Sequence, residues 1–213
     1  MTFYDISKRI IDVVGSIFCI LIFSPIMLAT AIYIKIVSPN GPVLADTPKR
    51  AGKGGKPFRF LKFRSMIPDA HQWLLGHKEL YEKYKANNYK IEAEEDPRII
   101  PGGIFMRKYS IDELPQFFNV LWGDMSIVGP RAYYPYEIDE QLEKYPEARE
   151  GIEELGKVKP GITGTWQVSG RSEIDFLNRV KMDANYAGKQ SMLYDLKVMF
   201  VTPYVVLTKK GAK

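Results

Sequence analysis

Residues 109–116 read YSIDELPQ, and this stretch puts two adjacent carboxylates just ahead of a proline. Proline is favoured in the first turn of a helix, where its missing N–H costs nothing. We therefore expect Asp112 and Glu113 at a helix N-terminus, where exposed N–H groups and the macrodipole favour negative charge. A carboxylate held there suits a nucleophile or a magnesium ligand. The alternative is a purely structural capping box between Ser110 and Glu113. Pro115 counts against it, because a helix starting at Ser110 would carry that proline past its first turn.

Two further stretches place glycines around polar and cationic side chains. Residues 119–131 read NVLWGDMSIVGPR, which predicts the end of an apolar helix, a glycine turn, a strand and a Gly-Pro turn that directs Arg131. Residues 159–171 read KPGITGTWQVSGR, in which glycines again flank polar and cationic residues, and the stretch ends in Arg171. Both turns indicate a rigid backbone that presents a guanidinium group.

Together the SIDELPQ, NVLWGDMSIVGPR and KPGITGTWQVSGR runs resemble the bacterial sugar transferase family. Its members are monotopic phosphoglycosyl transferases, which move a sugar-1-phosphate from a UDP-sugar onto a polyprenyl phosphate. The resemblance covers nearly the whole chain, from the N-terminal apolar segment to the Asp-Leu-Lys run at 195–197. One departure is Ala132, because the GPR motif of the family usually ends in a second proline.

The resemblance implies a role for most of the candidate site residues. It makes Asp112 a covalent nucleophile that forms an aspartyl-phosphosugar and releases UMP, and it makes Glu113 a ligand of Mg²⁺; the lipid phosphate then attacks the intermediate. Cations are expected to bind phosphate, since the fork of an arginine matches phosphate oxygens, although surface solvation is the alternative for each. The candidates are Arg131 and Arg171, then Lys62, Arg64 and Arg107, with Gln167 and Asp183 at motif positions whose roles are open.

The same resemblance defines the expected partners, which are a UDP-sugar, a polyprenyl phosphate and membrane lipid, without nucleic acid; a homodimer is left open. Galactose and glucose are weakly favoured over an acetamido sugar by the chain length between the hairpin and the SIDELPQ motif. Two rival functions also use a basic, carboxylate-bearing lobe: a membrane-anchored protein that binds anionic lipid, and a Mg²⁺-dependent lipid phosphatase. Release of UMP separates the transferase, which would begin surface glycan synthesis, from both.

The N-terminal apolar segment predicts a membrane anchor. Residues 13–34 carry no charged side chain and are long enough to cross a bilayer. Ser24 and Pro25 interrupt the run, and lysines and arginines flank it on both sides, which holds both ends in the cytoplasm. We expect residues 1–37 to form a re-entrant helix-break-helix and residues 38–213 a catalytic domain at the cytoplasmic face of the bacterial inner membrane. A kinked spanning helix is the alternative.

Composition and periodicity predict a small α/β domain that is mainly helical and has a short hairpin. The chain has 213 residues, a formal charge of +5 and one cysteine, which suits an anionic partner and excludes an intrachain disulfide. Strands are expected at 42–44 and 58–64 around a loop at 50–56, which lacks the Ser or Thr of a phosphate-binding loop. Helices are expected within 69–95, 139–157 and 171–187, with an interfacial or core-packed helix at 199–207. In the last predicted helix, Phe176, Val180 and Asp183 can line a single inward face, which would make Asp183 a buried polar anchor or part of the acidic site. On composition alone, a solvated or helix-capping Asp183 is favoured instead.

Overall fold

The computed structural model describes residues 2–86, 91–170 and 174–208, and the architecture is mostly helical, as predicted. The α-helices are α1 (Phe3–Val37), α2 (Ala70–Gly76), α3 (Lys78–Ala86), α4 (Gly103–Lys108), α5 (Gln116–Trp122), α6 (Pro135–Lys144), α7 (Arg149–Leu155), α8 (Thr165–Ser169), α9 (Phe176–Gly188) and α10 (Met192–Thr208). The strands are β1 (Arg50–Ala51), β2 (Pro57–Phe58), β3 (Ser126–Val128) and β4 (Gly161–Thr163).

Helix α1 has 35 residues, and Thr2 and Asp5 form a capping box at its start. By length and composition it could cross a membrane, and most of its large apolar side chains are exposed. The structure assigns one helix across Ser24 and Pro25, where the Ser24 hydroxyl donates to the carbonyl of Leu21 (2.8 Å). The predicted break at this point stays a prediction.

The first half of α1 is fastened to the rest of the chain by polar side chains. Lys8 pairs with Asp195 of α10 (2.8 Å), and Arg9 donates to the carbonyls of Val120 and Leu121 at the end of α5. Asp12, which is buried, accepts hydrogen bonds from the Ser126 hydroxyl and the Ile127 N–H, both at 2.9 Å. A charged group is costly to bury without partners, so these contacts fix where α1 lies.

The second half of α1 packs on a separate apolar cluster. Met27 and Ile34 lie there against Phe63, Ile100 and Met106. One helix therefore contacts the remainder of the protein from its N-terminal turns to its last turn.

An antiparallel hairpin is present, but the predicted bounds are wrong: β1 lies inside the predicted 50–56 loop, no regular strand forms at 42–44, and the second strand ends at Phe58. β1 and β2 pair antiparallel with Arg50 opposite Phe58, and an isolated antiparallel bridge joins Leu44 to Phe63. A 3₁₀ turn at Lys53–Gly55 forms the tip, in place of a phosphate-binding loop. Lys62 and Arg64 follow β2 and flank Phe63, the residue of that isolated bridge.

The central element is a parallel pair, β3 with β4, in which Ser126 lies opposite Gly161 and Val128 opposite Thr163. α5 leads into β3 through Gly123, whose φ is +94°, a conformation that glycine adopts without strain. Buried residues of α5, β3, α9 and α10 form the core around this pair, including Val120, Val128, Tyr186 and Val198. The parallel pair brings two distant glycine motifs side by side.

The remaining helices agree with the predicted segments, with shifted ends. The 69–95 stretch contains α2 and α3, and 139–157 overlaps α6 and α7. α9 begins at Phe176 because Asp175 caps it by accepting from the N–H of Asn178 (2.9 Å). The part of the predicted 171–187 helix at 171–173 lies outside the described residues. α10 buries Val198 and Val205 on one face and exposes Leu193, Phe200, Tyr204 and Leu207 on the other.

Candidate active site

The two adjacent carboxylates lie in a 3₁₀ turn, Ile111–Glu113, directly before α5. Asp112 is 1% exposed, whereas the Glu113 side chain is 40% exposed. Ser110 has φ of +56° and makes no side-chain cap, so the capping-box alternative is wrong. A left-handed non-glycine residue is uncommon, and here it turns the chain so that the Asp112 carbonyl accepts from the N–H of Phe63 (2.8 Å).

Lys62, four residues after the end of β2, is the cation next to this pair. Its ammonium lies 2.8 Å from Oδ2 of Asp112 and 4.0 Å from Oε1 of Glu113. A buried carboxylate needs such a partner, and the ion pair occupies only one of its oxygens. Neither carboxylate oxygen of Asp112 has a hydrogen-bond partner among the described residues, so the Lys62 contact is an ion pair to Oδ2 without hydrogen-bond geometry, and Oδ1 is left uncommitted. Asp112 thus combines a compensated charge with one uncommitted oxygen.

The other two cations predicted from the same region have different surroundings. Nε of Arg107 donates to the Ser65 hydroxyl (2.9 Å); burial lowers its pKa, and the negative charge of Asp112 opposes that shift. Arg64 instead donates to the Ser38 hydroxyl, the Ser38 carbonyl and the Pro42 carbonyl (2.6–2.8 Å). Arg107 is therefore electrostatically coupled to Asp112, while Arg64 fastens the chain that follows α1. The phosphate-binding role of Arg64 stays a prediction.

Arg131 follows β3 at the Gly-Pro turn, and its backbone is held in place. A Cβ atom at Gly129 or Gly161 would overlap the backbone of the facing strand, so this close approach requires glycine. The N–H of Arg131 donates to Oδ2 of Asp183 (2.9 Å). Its guanidinium lies 4.0 Å from Glu137 and 5.7 Å from the ring of Trp166.

The charge of Arg131 is coupled to the carboxylate turn. Burial by itself lowers the pKa of Arg131, because it disfavours the charged guanidinium. The negative charges of Glu137 and Glu113 raise the pKa, and the net shift is upward. Nε of Arg131 is buried and has no hydrogen-bond partner among the described residues. This guanidinium is suited to take up a further anion beside Glu113.

Asp183 and Gln167 lie beneath this turn on α9 and α8. Asp183 is 0% exposed, so the expectation of a solvated or capping aspartate is wrong; its place on the inward face of α9 buries it. Burial raises its pKa to about 7 against the hydrogen bond and charge of Arg131. Oε1 of Gln167 is also buried and unbonded within the described chain, and a Cβ at Gly164 would lie 2.8 Å from it.

Four of the predicted site residues are not part of this arrangement as described, and one of them is Arg64, which is bound to Ser38 and Pro42. Arg171 lies outside the described residues. Ser24 and Pro25 belong to α1, where they were predicted to mark the break in the anchor rather than to react.

Sequence reasoning missed a group of residues next to Arg131. Glu137 lies 3.9 Å from Nη1 of Arg50 and 4.0 Å from Nη2 of Arg131, so its carboxylate links two arginines. The Arg50 guanidinium lies 3.3 Å from the ring centroid of Tyr134. The sequence feature that could have identified this group is the pair of adjacent tyrosines, Tyr133 and Tyr134, which follows the GPR motif.

The Glu113 carboxylate fits Mg²⁺ when substrate oxygens complete the coordination. Among residues 2–86, 91–170 and 174–208 there is no group of three or more His, Cys, Asp or Glu side chains that could hold a metal ion. Mg²⁺ is usually held by one or two carboxylates together with phosphate oxygens and water. The half-exposed Glu113 carboxylate supplies a donor of this type, and Oδ1 of Asp112 stays free of the metal.

With this geometry in view, comparison with known proteins assigns the chain to a family. The profile described as bacterial sugar transferase matches residues 3–209. The chain belongs to this family, as the three motifs predicted.

Three relatives illustrate the similarity. The chain is 42% identical over 218 residues to the galactosyl transferase CpsE of Streptococcus agalactiae serotype III, covering 100% of the chain and 46% of the relative. It is 35% identical to the exopolysaccharide production protein ExoY of Sinorhizobium fredii, covering 97% of the chain and 88% of the relative. It is 37% identical to the UDP-glucose:undecaprenyl-phosphate glucose-1-phosphate transferase of Escherichia coli, covering 96% of the chain and 41% of the relative. The chain spans less than half the length of the first curated relatives it matches.

Proposed function

We propose that the protein transfers a hexose-1-phosphate, galactose or glucose, from a UDP-sugar to undecaprenyl phosphate, giving a lipid diphosphate sugar and UMP. The observation that carries this proposal is Asp112, a buried carboxylate with one oxygen paired to Lys62 and the other uncommitted. The names of the relatives, which include a UDP-glucose:undecaprenyl-phosphate glucose-1-phosphate transferase, support the substrate class. Such a step would begin the assembly of a surface glycan.

In the first step Oδ1 of Asp112 attacks the phosphorus nearer the sugar. A bond forms between that oxygen and phosphorus, and the bridging P–O bond breaks with its electron pair leaving on UMP. In the second step a phosphate oxygen of the lipid attacks the same phosphorus and expels the Asp112 carboxylate. Covalent catalysis of this kind replaces one difficult displacement by two easier ones.

The cations around the turn neutralise the phosphate charge. Lys62 lies 2.8 Å from Oδ2 of Asp112 and compensates the charge of the nucleophile. Arg131 and Arg107 lie within electrostatic range of Glu113 and Asp112, so they are suited to bind the diphosphate. Fixed donors and cations stabilise the charge that develops on transfer.

Magnesium would be held by Glu113 and by oxygens of the substrate diphosphate. When bound, it would polarise the phosphoryl oxygens and neutralise the leaving UMP. The remaining work falls to the protein's own residues, which bind the anion and direct the Asp112 carboxylate.

The membrane arrangement we propose is monotopic, with α1 entering and leaving at the cytoplasmic face of the inner membrane. Two observations support it. Lys8 and Asp12, near the start of α1, contact the rest of the protein, and so does Ile34, near its end. A straight helix of this length would be about 52 Å long, well above the roughly 30 Å of a hydrocarbon core. A lobe on one side of a bilayer could not contact both ends of a spanning helix.

The test is turnover by the purified protein in lipid nanodiscs containing undecaprenyl phosphate, with Mg²⁺ and a panel of UDP-sugars. Release of UMP is expected with UDP-galactose or UDP-glucose. Asp112→Asn should abolish it, and the exposed control Asp139→Asn should not. Quenching the wild-type reaction without acceptor should add a sugar-phosphate mass to the peptide containing Asp112.

Each rival function predicts a different result. A lipid phosphatase would release inorganic phosphate from undecaprenyl phosphate without any UDP-sugar. A protein that only binds anionic lipid would release neither product. Normal turnover by Asp112→Asn would refute the covalent mechanism.

A further inference from the structure

A stack of planar groups extends away from Arg131, one of the side chains that we propose bind phosphate. The Arg50 guanidinium lies between two rings, 5.0 Å from the centroid of Phe60 and 3.3 Å from that of Tyr134. Tyr134 in turn stacks on Tyr136, with centroids 4.9 Å apart and an angle of 15° between the rings. Guanidinium–aromatic and aromatic–aromatic contacts of this geometry are favourable, and they hold each ring in a fixed plane.

Tyr136 ends the stack and is 51% exposed. Within the described chain its one ring partner is Tyr134, on one face. The residue lies in the first turn of α6, after Pro135 at the N-terminal position, so its backbone is ordered. An oriented ring with a solvent-accessible side is a ready surface for another flat π system, because stacking needs no further ordering of the side chain.

The stack is joined to the phosphate-binding side chains through Glu137. Its two carboxylate oxygens lie 3.9 Å from Arg50 and 4.0 Å from Arg131. Arg131 is coupled in turn to Glu113, beside the proposed nucleophile. These pairwise interactions connect the carboxylate turn to Arg131, Arg131 to Glu137, Glu137 to Arg50, and Arg50 through Tyr134 to Tyr136. We compare this sequence of groups with the sugar phosphate, diphosphate and base of a nucleoside diphosphate sugar.

We infer that Tyr136 forms the nucleobase subsite of the donor, with the pyrimidine ring stacked on its exposed face. This inference rests on the proposed function, because it assigns one part of that substrate to one part of the surface. Stacking accepts any base, since every base has a π face. Tyr136 therefore supplies affinity for the base without choosing uracil over cytosine.

The test compares ligands with and without a base on the same variants. Tyr136→Ala and Tyr136→Leu should each raise the KM for the UDP-sugar and the Kd for UMP by roughly tenfold or more, within the range for one base–aromatic stack. The Kd for ribose 5-phosphate, which lacks the base, should stay as in the wild type. Tyr136→Phe, which keeps the ring, should match the wild type in all three measurements.

Leucine separates stacking from support of the neighbouring ring, because it still covers Tyr134 but offers no π face. An unchanged Kd for UMP in Tyr136→Ala would overturn the subsite, and so would equal weakening of UMP and ribose 5-phosphate. Calorimetric binding of UMP needs no turnover. A wild-type protein that binds UMP in this tyrosine-dependent way but releases none from UDP-sugars would refute the proposed reaction and still support the subsite.

Discussion

Arg131 is directed by its main chain, and this makes its side chain a clean target for mutation. Its N–H is bound to Asp183, and the glycine contact between β3 and β4 fixes the turn before it. Both features survive a change of the side chain. Arg131→Ala should lower kcat/KM by roughly ten- to a hundred-fold, since a charge-assisted contact to phosphate contributes about 1.5–3 kcal/mol. Arg131→Lys should recover only part, because an ammonium cannot reproduce the guanidinium fork.

Steady-state kinetics of UMP release on both variants measure this effect. A thermal unfolding curve for each variant controls for loss of fold. Wild-type kinetics in both would leave Arg131 as a structural arginine paired with Glu137, and attention would then pass to Arg171.

Asp183 offers a prediction about pH. Burial raises its pKa in the folded protein from the ordinary value of 3.8 to about 7, so the fold prefers the protonated carboxyl. The stability from that preference is complete below about pH 4 and is lost as the pH rises to about 7. An asparagine side chain at this position would stay neutral and still accept from the N–H of Arg131. As the pH rises from 4 to 7, the Tm of the Asp183→Asn variant should therefore increase relative to that of the wild type. Above pH 7 the difference between the two Tm values should stay constant.

Differential scanning fluorimetry in one detergent across that pH range tests the point. The groups facing Asp183 are Arg131, Arg179 and Tyr133, none of which titrates in this window under ordinary conditions. Parallel Tm curves for the two proteins would contradict the raised pKa.

The close contact between β3 and β4 is possible because Gly129 and Gly161 have no side chains. A methyl group at Gly161 would overlap the backbone of Gly129, and neither strand could move without displacing Arg131 or the core. Gly161→Ala should destabilise the protein by more than about 2 kcal/mol and lower activity with it. The matched control is Gly76 within α2, where an added Cβ meets no heavy atom within 4 Å. Gly76→Ala should be neutral or slightly stabilising.

Thermal unfolding of both variants in the same lipid or detergent is the measurement. A similar Tm for Gly161→Ala and the wild type would show that the strands can separate at little cost. A large loss in Gly76→Ala would mean that alanine is poorly tolerated for reasons other than close packing.

Local sequence patterns predicted elements that depend on neighbours along the chain. The glycine at 123, the strand at 126–128 and the helical stretches on either side follow from turn chemistry and periodicity. The capping-box alternative at Ser110, which Pro115 already counted against, is excluded because Ser110 is left-handed and the turn that follows pairs with a distant residue, Phe63, through the Asp112 carbonyl. A local motif cannot specify such a contact.

Long-range contacts set the parts of the candidate site that the sequence did not predict. Nothing in the spacing of Arg50 and Glu137 indicates that a hairpin brings them together, or that Arg64 bonds to the end of α1. Helical spacing placed Asp183 on the same inward face as Val180, and both are buried, whereas composition favoured a solvated or capping aspartate and was wrong. The resemblance of the motifs to a family identified Asp112, Glu113 and Arg131 as candidate site residues, because residues of this kind recur together in a family.

At the scale of the whole molecule, exposed apolar side chains are found on both α1 and α10. Phe18, Leu21 and Leu28 in the middle of α1 are exposed, as are Phe200 and Leu207 on α10. Contiguous exposed apolar surface of this kind marks a lipid or protein contact. The Lys8–Asp195 pair connects the two helices that carry it, so both apolar faces are held in one arrangement.

This arrangement predicts that the N-terminus and the lobe share one side of the membrane. In a Cys19→Ser background, which removes the single cysteine of the chain, cysteines replace Phe3, 87% exposed, and exposed Glu140. A membrane-impermeant maleimide added to intact cells should label neither site, and it should label both after permeabilisation. Pro25→Ala, which restores a regular helix at the predicted break, should increase labelling of the N-terminal site alone. Labelling of that site in intact cells without Pro25→Ala would establish a spanning α1 and refute the re-entrant arrangement.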